Sequence, residues 1–267
     1  MKIIGLLSDF GLRDSYVAEM KAVILSICPE ARLVDISHEI RKFDVRMGAF
    51  VLASAAKSFP DGSIYLAVVD PGVGSERRPL IVQSNKSLYV GPDNGLLMLS
   101  AIREGLQRVY CIRDQEYLRD AISATFHGRD VFARIAGDLA NGVSPLDIGS
   151  EVKGYLKPEY HRPIVNSDSI DCEVLHVDDF GNVVTNVDAS SVGKGNLTFG
   201  NILTLTIGRK RLRLVFARTY NEIPEGNLGC LVGGHGFLEI AMRMRDASKV
   251  VHIAPGSKLK IRVSDPV

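Results

Sequence analysis

The chain has no tryptophan and no surplus charge of either sign: its 267 residues carry a formal net charge of +1. A surface without a strong field offers no long-range attraction to a nucleic-acid backbone or an anionic membrane, so neither is expected as a partner. Four cysteines, Cys28, Cys111, Cys172 and Cys230, lie far apart with no C-x-x-C pair. That pattern lacks the close spacing of a zinc ribbon or a redox dithiol and fits separate reduced thiols in a cytoplasmic protein. The six histidines are equally scattered, so no local metal motif exists, although groups distant in sequence can still meet in space. Asp9 interrupts Met1-Lys2-Ile3-Ile4-Gly5-Leu6-Leu7 before a secretory apolar core is complete, and the run reads as a first buried strand. No apolar stretch approaches the ~18 residues of a membrane span. Nucleotide-binding fingerprints are missing too. Gly72-Val73-Gly74 has no third glycine at dinucleotide spacing, and no G-x-x-x-x-G-K-[ST] occurs.

What is present is a 46% hydrophobic chain whose first part alternates two periodicities. Runs rich in β-branched residues (Ile3 to Leu7, Arg32 to Ile36, Ile64 to Val69, Pro79 to Val82, Leu88 to Val90, Arg108 to Ile112) predict strands. Between them, Ser15 to Ile27, Asp44 to Ser58, Leu96 to Ile102 and Gly128 to Ala140 repeat apolar residues at helical spacing, with Asp44 as an N-cap. This alternation predicts an α/β domain with a mostly parallel central sheet covered on both faces. After a linker marked by Pro158, His161, Arg162 and Pro163 the pattern changes to short strands separated by Gly, Asn, Asp and Pro. Cys172 to Val177, Val183 to Val187, Leu203 to Ile207, Arg211 to Phe216, Leu228 to Val232, Val250 to Ile253 and Leu259 to Val263 are the expected strands, with Gly208-Arg209-Lys210 as a hairpin turn. A small barrel or sandwich fits that spacing. The expected organisation is residues 1–164 as the α/β domain and 165–267 as a smaller β domain.

Several short constellations could carry chemistry. Val69-Asp70-Pro71-Gly72-Val73-Gly74-Ser75-Glu76-Arg77-Arg78 places a carboxylate at a strand end, then a glycine-rich turn and two arginines. Loops at the carboxyl ends of strands in open α/β sheets are where ligands bind, though a solvated hairpin has the same composition. Asp9 follows the first strand and could accept from two ribose hydroxyls, or merely close a turn; Asp14 reads equally as a helix cap. His127, in Thr125-Phe126-His127-Gly128-Arg129-Asp130, stands at a helix entry where it could move a proton or hold a water, and reads equally as a capping or structurally satisfied histidine. In Asp178-Asp179-Phe180-Gly181-Asn182, Phe180 could stack on a purine while Asn182 reads its edge, and the segment is also a good tight turn.

Taken together, Leu7-Ser8-Asp9-Phe10-Gly11, Val69-Asp70-Pro71-Gly72-Val73-Gly74, Gly91-Pro92-Asp93-Asn94-Gly95, Thr125-Phe126-His127-Gly128-Arg129-Asp130, Asp179-Phe180-Gly181-Asn182 and Ile223-Pro224-Glu225-Gly226 resemble the ordered motifs of the S-adenosyl-L-methionine (SAM) hydroxide adenosyltransferases, relatives of the fluorinases and chlorinases. The resemblance covers nearly the whole chain. It implies an α/β domain followed by a C-terminal β-barrel, a homotrimer with SAM bound between subunits, and attack of water on C5′ of SAM to give adenosine and L-methionine. By position, Asp70, Arg77 and His127 match the set around the nucleophilic water. Asp9 matches the ribose carboxylate, Asp14 the carboxylate near the methionine ammonium, Phe43 an aromatic packed on the ligand, and Phe180 and Asn182 the adenine contacts.

No metal or redox cofactor is implied, since SAM is the substrate and its sulfonium is already a good leaving group. Under this assignment Arg77 favours hydroxide character while Asp70 and His127 orient the water and accept its proton. The halide-using relatives, which make 5′-halo-adenosines, lack the intact acid–base set and carry an insertion. Here only Asp61-Gly62-Ser63 separates Phe59-Pro60 from the next strand, which favours water. One departure concerns the methionine end. Val232-Gly233-Gly234-His235-Gly236 stands where relatives carry Asn-Ser-x-Gly, leaving the Gly234 backbone N–H and the His235 ring as candidate carboxylate contacts. That departure motivates an alternative, a SAM- or adenosine-binding sensor with incidental turnover.

Overall fold

The computed structural model describes residues 2–113, 123–157, 162–193 and 197–263, and the chain forms two units, Met1–Pro158 and Glu159–Val267. Of the linker residues read from sequence, Pro158 and His161 lie outside the described residues.

The first unit is built on a 7-stranded sheet. Its strands are β1 (Ile3–Ser8), β2 (Arg32–Ser37), β3 (Ile64–Val68), β4 (Pro79–Ser84), β5 (Leu88–Pro92), β6 (Leu106–Ile112) and β7 (Gly149–Glu151), in the order β2-β1-β3-β5-β4-β6-β7. The sheet is mixed. β2, β1, β3 and β5 run parallel, and β4, β6 and β7 complete it with antiparallel pairs. The connections dictate the change. Helices α1 (Tyr16–Ile27) and α2 (Val45–Ala56) supply crossovers long enough for parallel neighbours, whereas Asn85-Lys86-Ser87 can only turn β4 back into β5. α2 starts where its sequence signal placed it, with Asp44 accepting from the Met47 N–H at 2.9 Å. α1 has Ser15 rather than Asp14 at its cap position, and that cap makes no side-chain bond.

Strand alternation feeds a core on each face of the sheet. Ile64, Leu66 and Val68 of β3 pack with Met20 and Ile24 of α1 and with Phe132. Tyr65 and Ala67, pointing the other way, pack with Leu52 of α2 and with Met98 of α3 (Met98–Arg103). The expected helix over Gly128 to Ala140 is present, but its first part, Gly128–Ala133, is a π-helix that continues as α4 (Arg134–Ala140). Widened helical turns of this kind are frequent at functional sites.

The second unit contains β8 (Ile164–Val165), β9 (Ser169–Val177), β10 (Val183–Asp188), β11 (Ile202–Ile207), β12 (Lys210–Phe216), β13 (Leu228–Val232), β14 (Phe237–Met242) and β15 (Lys258–Val263). Pairing of β10 with β9 closes the ring β10-β14-β13-β12-β11-β15-β9 into a barrel, with β8 appended beside β9. Cys172, Val174, Leu203, Leu205, Leu238 and Ile240 are among the side chains filling it. Closure satisfies the edge strands that an open sheet would expose.

One sequence expectation fails here, and one six-residue strand is unanticipated. Val250 to Ile253, expected as a strand, is the end of a short helix, Ala247–Val251. Asp246 caps that helix by accepting from Lys249 N–H, and His252 ends it in the left-handed region. A brief apolar run has no periodicity of its own, so the cap decides its conformation. β14 was not expected at all, because Glu239 breaks its apolar run; Glu239 is nevertheless only 1% exposed.

All four cysteines are buried and free. No helix among the described residues is long and apolar enough to cross a membrane, and no cluster of three or more His, Cys, Asp or Glu side chains there could hold a metal ion.

Candidate active site

In the α/β unit, the loop after β3 folds back through successive turns. Val73 N–H reaches Asp70 O, Ser75 N–H reaches Gly72 O, and Gly74 adopts φ +78°. A Cβ at Gly74 would lie 3.0 Å from Ala124 O, so that position needs glycine for its backbone conformation and for the close approach. This fold returns Arg77 onto Asp70. Arg77 Nε donates to both carboxylate oxygens at 3.0 and 2.9 Å, and its Nη2 lies 2.6 Å from Asp70 Oδ2. The same Nη2 lies 2.7 Å from His127 Nδ1, which the start of the π-helix carries. Three residues separate in sequence therefore form one bonded set. Asp70 and Arg77 are nearly shielded from water, with side-chain exposures of 6% and 10%.

The donor–acceptor logic fixes the state of His127. A guanidinium only donates, so Nδ1 is the acceptor and the neutral ring carries its proton on Nε2. Burial holds the His127 pKa below the ordinary histidine value, and the Arg77 charge lowers it further against the opposing pull of Asp70 and Asp130. The Arg77 charge is itself countered at contact distance by Asp70, so the pair acts as a polar unit rather than a bare cation. Beside it lies a cavity of about 210 Å³ lined by Phe10, Tyr16, Asp70, Val73, Phe126 and His127 among others. The Phe10, Tyr16 and Phe126 rings pack edge-on or tilted at 5.1–5.8 Å, giving this cavity an apolar wall.

Asp9 is 5% exposed, and its Oδ2 accepts from Phe43 N–H at 2.8 Å. The Phe43 ring is 70% exposed, on a backbone at φ +66°, which an aromatic residue adopts only under constraint. The structure thus joins two of the predicted ligand residues. Asp14 is exposed just before the α1 cap.

In the barrel unit, Asp178 organises the Phe180 loop. Its Oδ1 accepts from Phe180 N–H at 3.0 Å and Asn182 N–H at 2.8 Å, and its Oδ2 accepts from Asn182 Nδ2 at 3.0 Å. Asn182 is held in place with its amide nitrogen engaged, while the Phe180 ring is 81% exposed. Both line a cavity of about 680 Å³ with Tyr220, Met242, Met244 and Asp246. Tyr220 donates its hydroxyl to buried Glu239, and burial together with that carboxylate holds the phenol above its usual pKa. The other Glu239 oxygen lies 2.7 Å from His235 Nε2, and His235 Nδ1 accepts from Phe237 N–H at 3.1 Å. Both ring nitrogens of His235 are therefore engaged within the chain, which makes it a brace for Glu239 first. A Cβ on Gly233 would lie 2.3 Å from Glu239 Oε2 and 2.7 Å from His235 Nε2, whereas one on Gly234 would meet nothing within 4 Å.

These motifs and this architecture coincide with models of one family. The SAM hydroxide adenosyltransferase N-terminal domain matches residues 4–149 and its C-terminal domain matches residues 172–260. The chain belongs to the SAM hydroxide adenosyltransferase family. The (R)-S-adenosyl-L-methionine hydrolase of Methanocaldococcus jannaschii is 35% identical, over 95% of this chain and 93% of that protein. Its namesake from Thermus thermophilus is also 35% identical, over 98% and 100%. A crystal structure of an uncharacterized conserved protein from Thermotoga maritima superposes with a TM-score of 0.92 at 35% identity, covering 97% of this chain and 99% of that one. Fluorinases are more distant, at 24% identity for that of Nocardia brasiliensis.

The sequence alone points to no role for several residues that build the site. Gly91-Pro92-Asp93-Asn94-Gly95 stood out only as a motif. Asn94 Nδ2 donates to Val69 O at 2.8 Å, steadying the backbone just before Asp70. Asp93 accepts from Arg78 Nε at 2.9 Å, and Arg78 Nη2 donates to Gly154 O at 2.6 Å. The adjacent arginines have divided tasks, Arg77 in the cluster and Arg78 in tying loops together. Tyr220 and the methionines of the barrel cavity carried no local signal, since only closure of the strands brings them to Phe180.

Proposed function

We propose that the protein hydrolyses (R)-S-adenosyl-L-methionine, with water displacing methionine from C5′ to give adenosine and L-methionine. The observation that carries this reading is the bonded Asp70–Arg77–His127 set beside a partly apolar cavity. Because the relatives' names give the α-carbon as L, their (R) describes the sulfonium centre, and the same epimer is proposed here.

The oxygen of a water attacks C5′ opposite sulfur, the C5′–S bond breaks, and its electron pair neutralises the sulfonium as methionine leaves. His127 donates from Nε2–H to the water oxygen and fixes its lone pair toward the carbon. With Nδ1 occupied by Arg77, the ring has no lone pair for the released proton, so Asp70 accepts it. A carboxylate suffices because water becomes a strong acid as its oxygen bonds to carbon, which makes the transfer downhill late in the step. Arg77 holds Asp70 and His127 in register. An apolar wall favours a reaction in which positive charge on sulfur is lost. The sulfonium is the activated leaving group, so the step draws on no further cofactor.

Asp9 takes the ribose hydroxyls, and Phe43 packs on the ligand. Asp14 meets the methionine ammonium. Phe180 stacks on adenine while Asn182 Oδ1 accepts from its exocyclic amine. The methionine carboxylate lies against Gly234, where an added Cβ would meet nothing within 4 Å, with His235 acting through Glu239. A homotrimer with shared sites belongs to the same reading, supported by the exposed Phe43 and Phe180 rings, which are 70% and 81% exposed in the single chain.

Pure protein incubated separately with the two sulfonium epimers in ¹⁸O-water tests the activity. Labelled adenosine from the (R) epimer is expected, and adenosine at only the enzyme-free rate overturns the reading. Tight adenosine binding without turnover identifies a sensor instead. Sedimentation velocity tests assembly, and a fully active monomer excludes the trimer.

A further inference from the structure

Next to Asp9 begins a chain of polar groups, buried at Ser8 and His38 and reaching the surface at Asp35, that the reaction above does not use. Ser8 ends β1 and is 0% exposed, and the His38 side chain is 1% exposed. Ser8 Oγ lies 2.7 Å from His38 Nδ1, and His38 Nε2 lies 3.1 Å from Asp35 Oδ1. Asp35 Oδ2 in turn accepts from Lys21 Nζ at 2.7 Å.

The order Ser–His–Asp is that of a nucleophilic triad, but the surroundings exclude that use. A nucleophile must meet its substrate, and the Ser8 hydroxyl is sealed from solvent. Its oxygen also accepts from Phe10 N–H at 3.3 Å. The wiring runs in one consistent direction. Phe10 N–H donates to Ser8 Oγ, Ser8 O–H donates to His38 Nδ1, and His38 Nε2–H donates to Asp35. Burial lowers the His38 pKa, with Asp35 opposing that shift, so the neutral ring this wiring requires is also the form that burial favours.

Ser8 and His38 both bond residues that flank Asp9. Gly11 N–H donates to His38 O at 2.7 Å, and Ile40 N–H lies 3.4 Å from Ser8 O. The β1–β2 register slips at this point, from Leu6 opposite Asp35 to Leu7 opposite Ser37. A slip of this kind re-aims the strand that follows, and here that segment carries His38 and then Phe43. The residues on either side of Asp9 are thus held by the relay, its carbonyl oxygen accepts from Lys42 Nζ, and its carboxylate accepts from Phe43 N–H.

We propose that the buried Ser8–His38 pair, anchored at the surface by Asp35, forms a positioning relay that holds the Asp9 carboxylate in place for the ribose hydroxyls, making His38 a positioning residue for substrate binding. This rests on the reading of Asp9 as the ribose acceptor. The relay acts on binding rather than on the attacking water, so its loss separates KM from kcat.

Adenosine affinity by calorimetry and steady-state kinetics with SAM, measured on Ser8→Ala, Ser8→Thr, His38→Gln and Asp9→Asn, test the relay. Ser8→Ala and His38→Gln are expected to raise the adenosine Kd and the SAM KM about tenfold, the worth of one buried hydrogen bond, while kcat stays within about twofold. Ser8→Thr keeps the hydroxyl, suits a strand end and restores wild-type affinity. Weaker binding in Asp9→Asn alongside wild-type binding in Ser8→Ala and His38→Gln overturns the relay alone. Wild-type binding in Asp9→Asn overturns the ribose assignment beneath it. The ¹⁵N shifts of the wild-type His38 ring give a check that depends on no variant: a proton on Nε2 supports the wiring, and one on Nδ1 overturns it.

Discussion

In the α/β unit the polar side chains of the candidate site bond to one another. Asp70, Arg77 and His127 form a closed set, with only 6% and 10% of the Asp70 and Arg77 side chains exposed. In the barrel unit the polar groups bond backward, into the loop and the barrel wall. Asp178 holds Asn182 and Glu239 takes the Tyr220 hydroxyl, so that rings are presented outward, Phe180 at 81% exposure. The first arrangement is suited to steering a water and a proton, since charges in mutual contact need little reorganisation when they act. The second is suited to recognition, since a rigid exposed ring gains by being covered. Chemistry and recognition should therefore be separable by mutation.

Arg77→Lys should break the first arrangement most. A lysine keeps the charge but cannot bridge Asp70 and His127 as a planar fork, and turnover should fall about 10²–10³-fold while adenosine affinity stays within about threefold. Wild-type turnover in single-turnover assays would remove Arg77 from the mechanism. His127→Ala comes next, with a loss of about 10²-fold.

The pH profile of the wild type sharpens that result. The His127 pKa is depressed in the folded protein, so the neutral ring persists to pH values below the ordinary 6.5. The acidic limb of kcat/KM should lie below that value and vanish in His127→Ala. The same depression adds stability that is fully present above the unfolded-state pKa and is lost as pH falls toward the folded one. An acid limb unchanged in the variant would assign it to another group.

Phe180→Ala should act in the opposite sense, weakening adenosine binding about tenfold or more, from the ~1–3 kcal/mol of base–aromatic stacking, with kcat nearly intact. A collapse of kcat with unaltered affinity would erase the distinction between the two regions. The smallest effect is expected at Gly234→Ser, where the added atoms enter open space and stability should change by less than ~0.5 kcal/mol. Its neighbour supplies the contrast. Gly233→Ala drives a methyl into Glu239 and His235, and should lower the thermal midpoint by an amount equivalent to ~2 kcal/mol or more. Equal melting temperatures for the two variants would mean that the Glu239 cluster yields freely.

Much of this was legible in the sequence because it is local. β-branched runs, helical spacing and the Asp44 cap specify elements through contacts only a few residues long, and ordered motifs marked the loops that carry Asp9, Asp70, His127 and Phe180. Val250 to Ile253 departs from the expected strand because four residues hold too little periodicity to outweigh the Asp246 cap. β14 gives no clear strand signal in the sequence, because a charged residue in a strand looks solvent-facing until its partners, Tyr220 and His235, are known.

What the sequence by itself determined is the family, the alternating α/β unit, the barrel after it, and the residue types available for chemistry. Tertiary structure alone decided that Arg78 ties loops together, which ring nitrogen of His127 is protonated, that His235 braces Glu239, and that Ser8 and His38 bond the residues flanking Asp9. The physical reason is distance along the chain. Hydrogen bonds between residues 30 or 50 positions apart, such as Ser8 to His38 and Arg77 to His127, leave no periodic trace in either segment. They exist only once the sheet and its crossovers have brought the strand ends together.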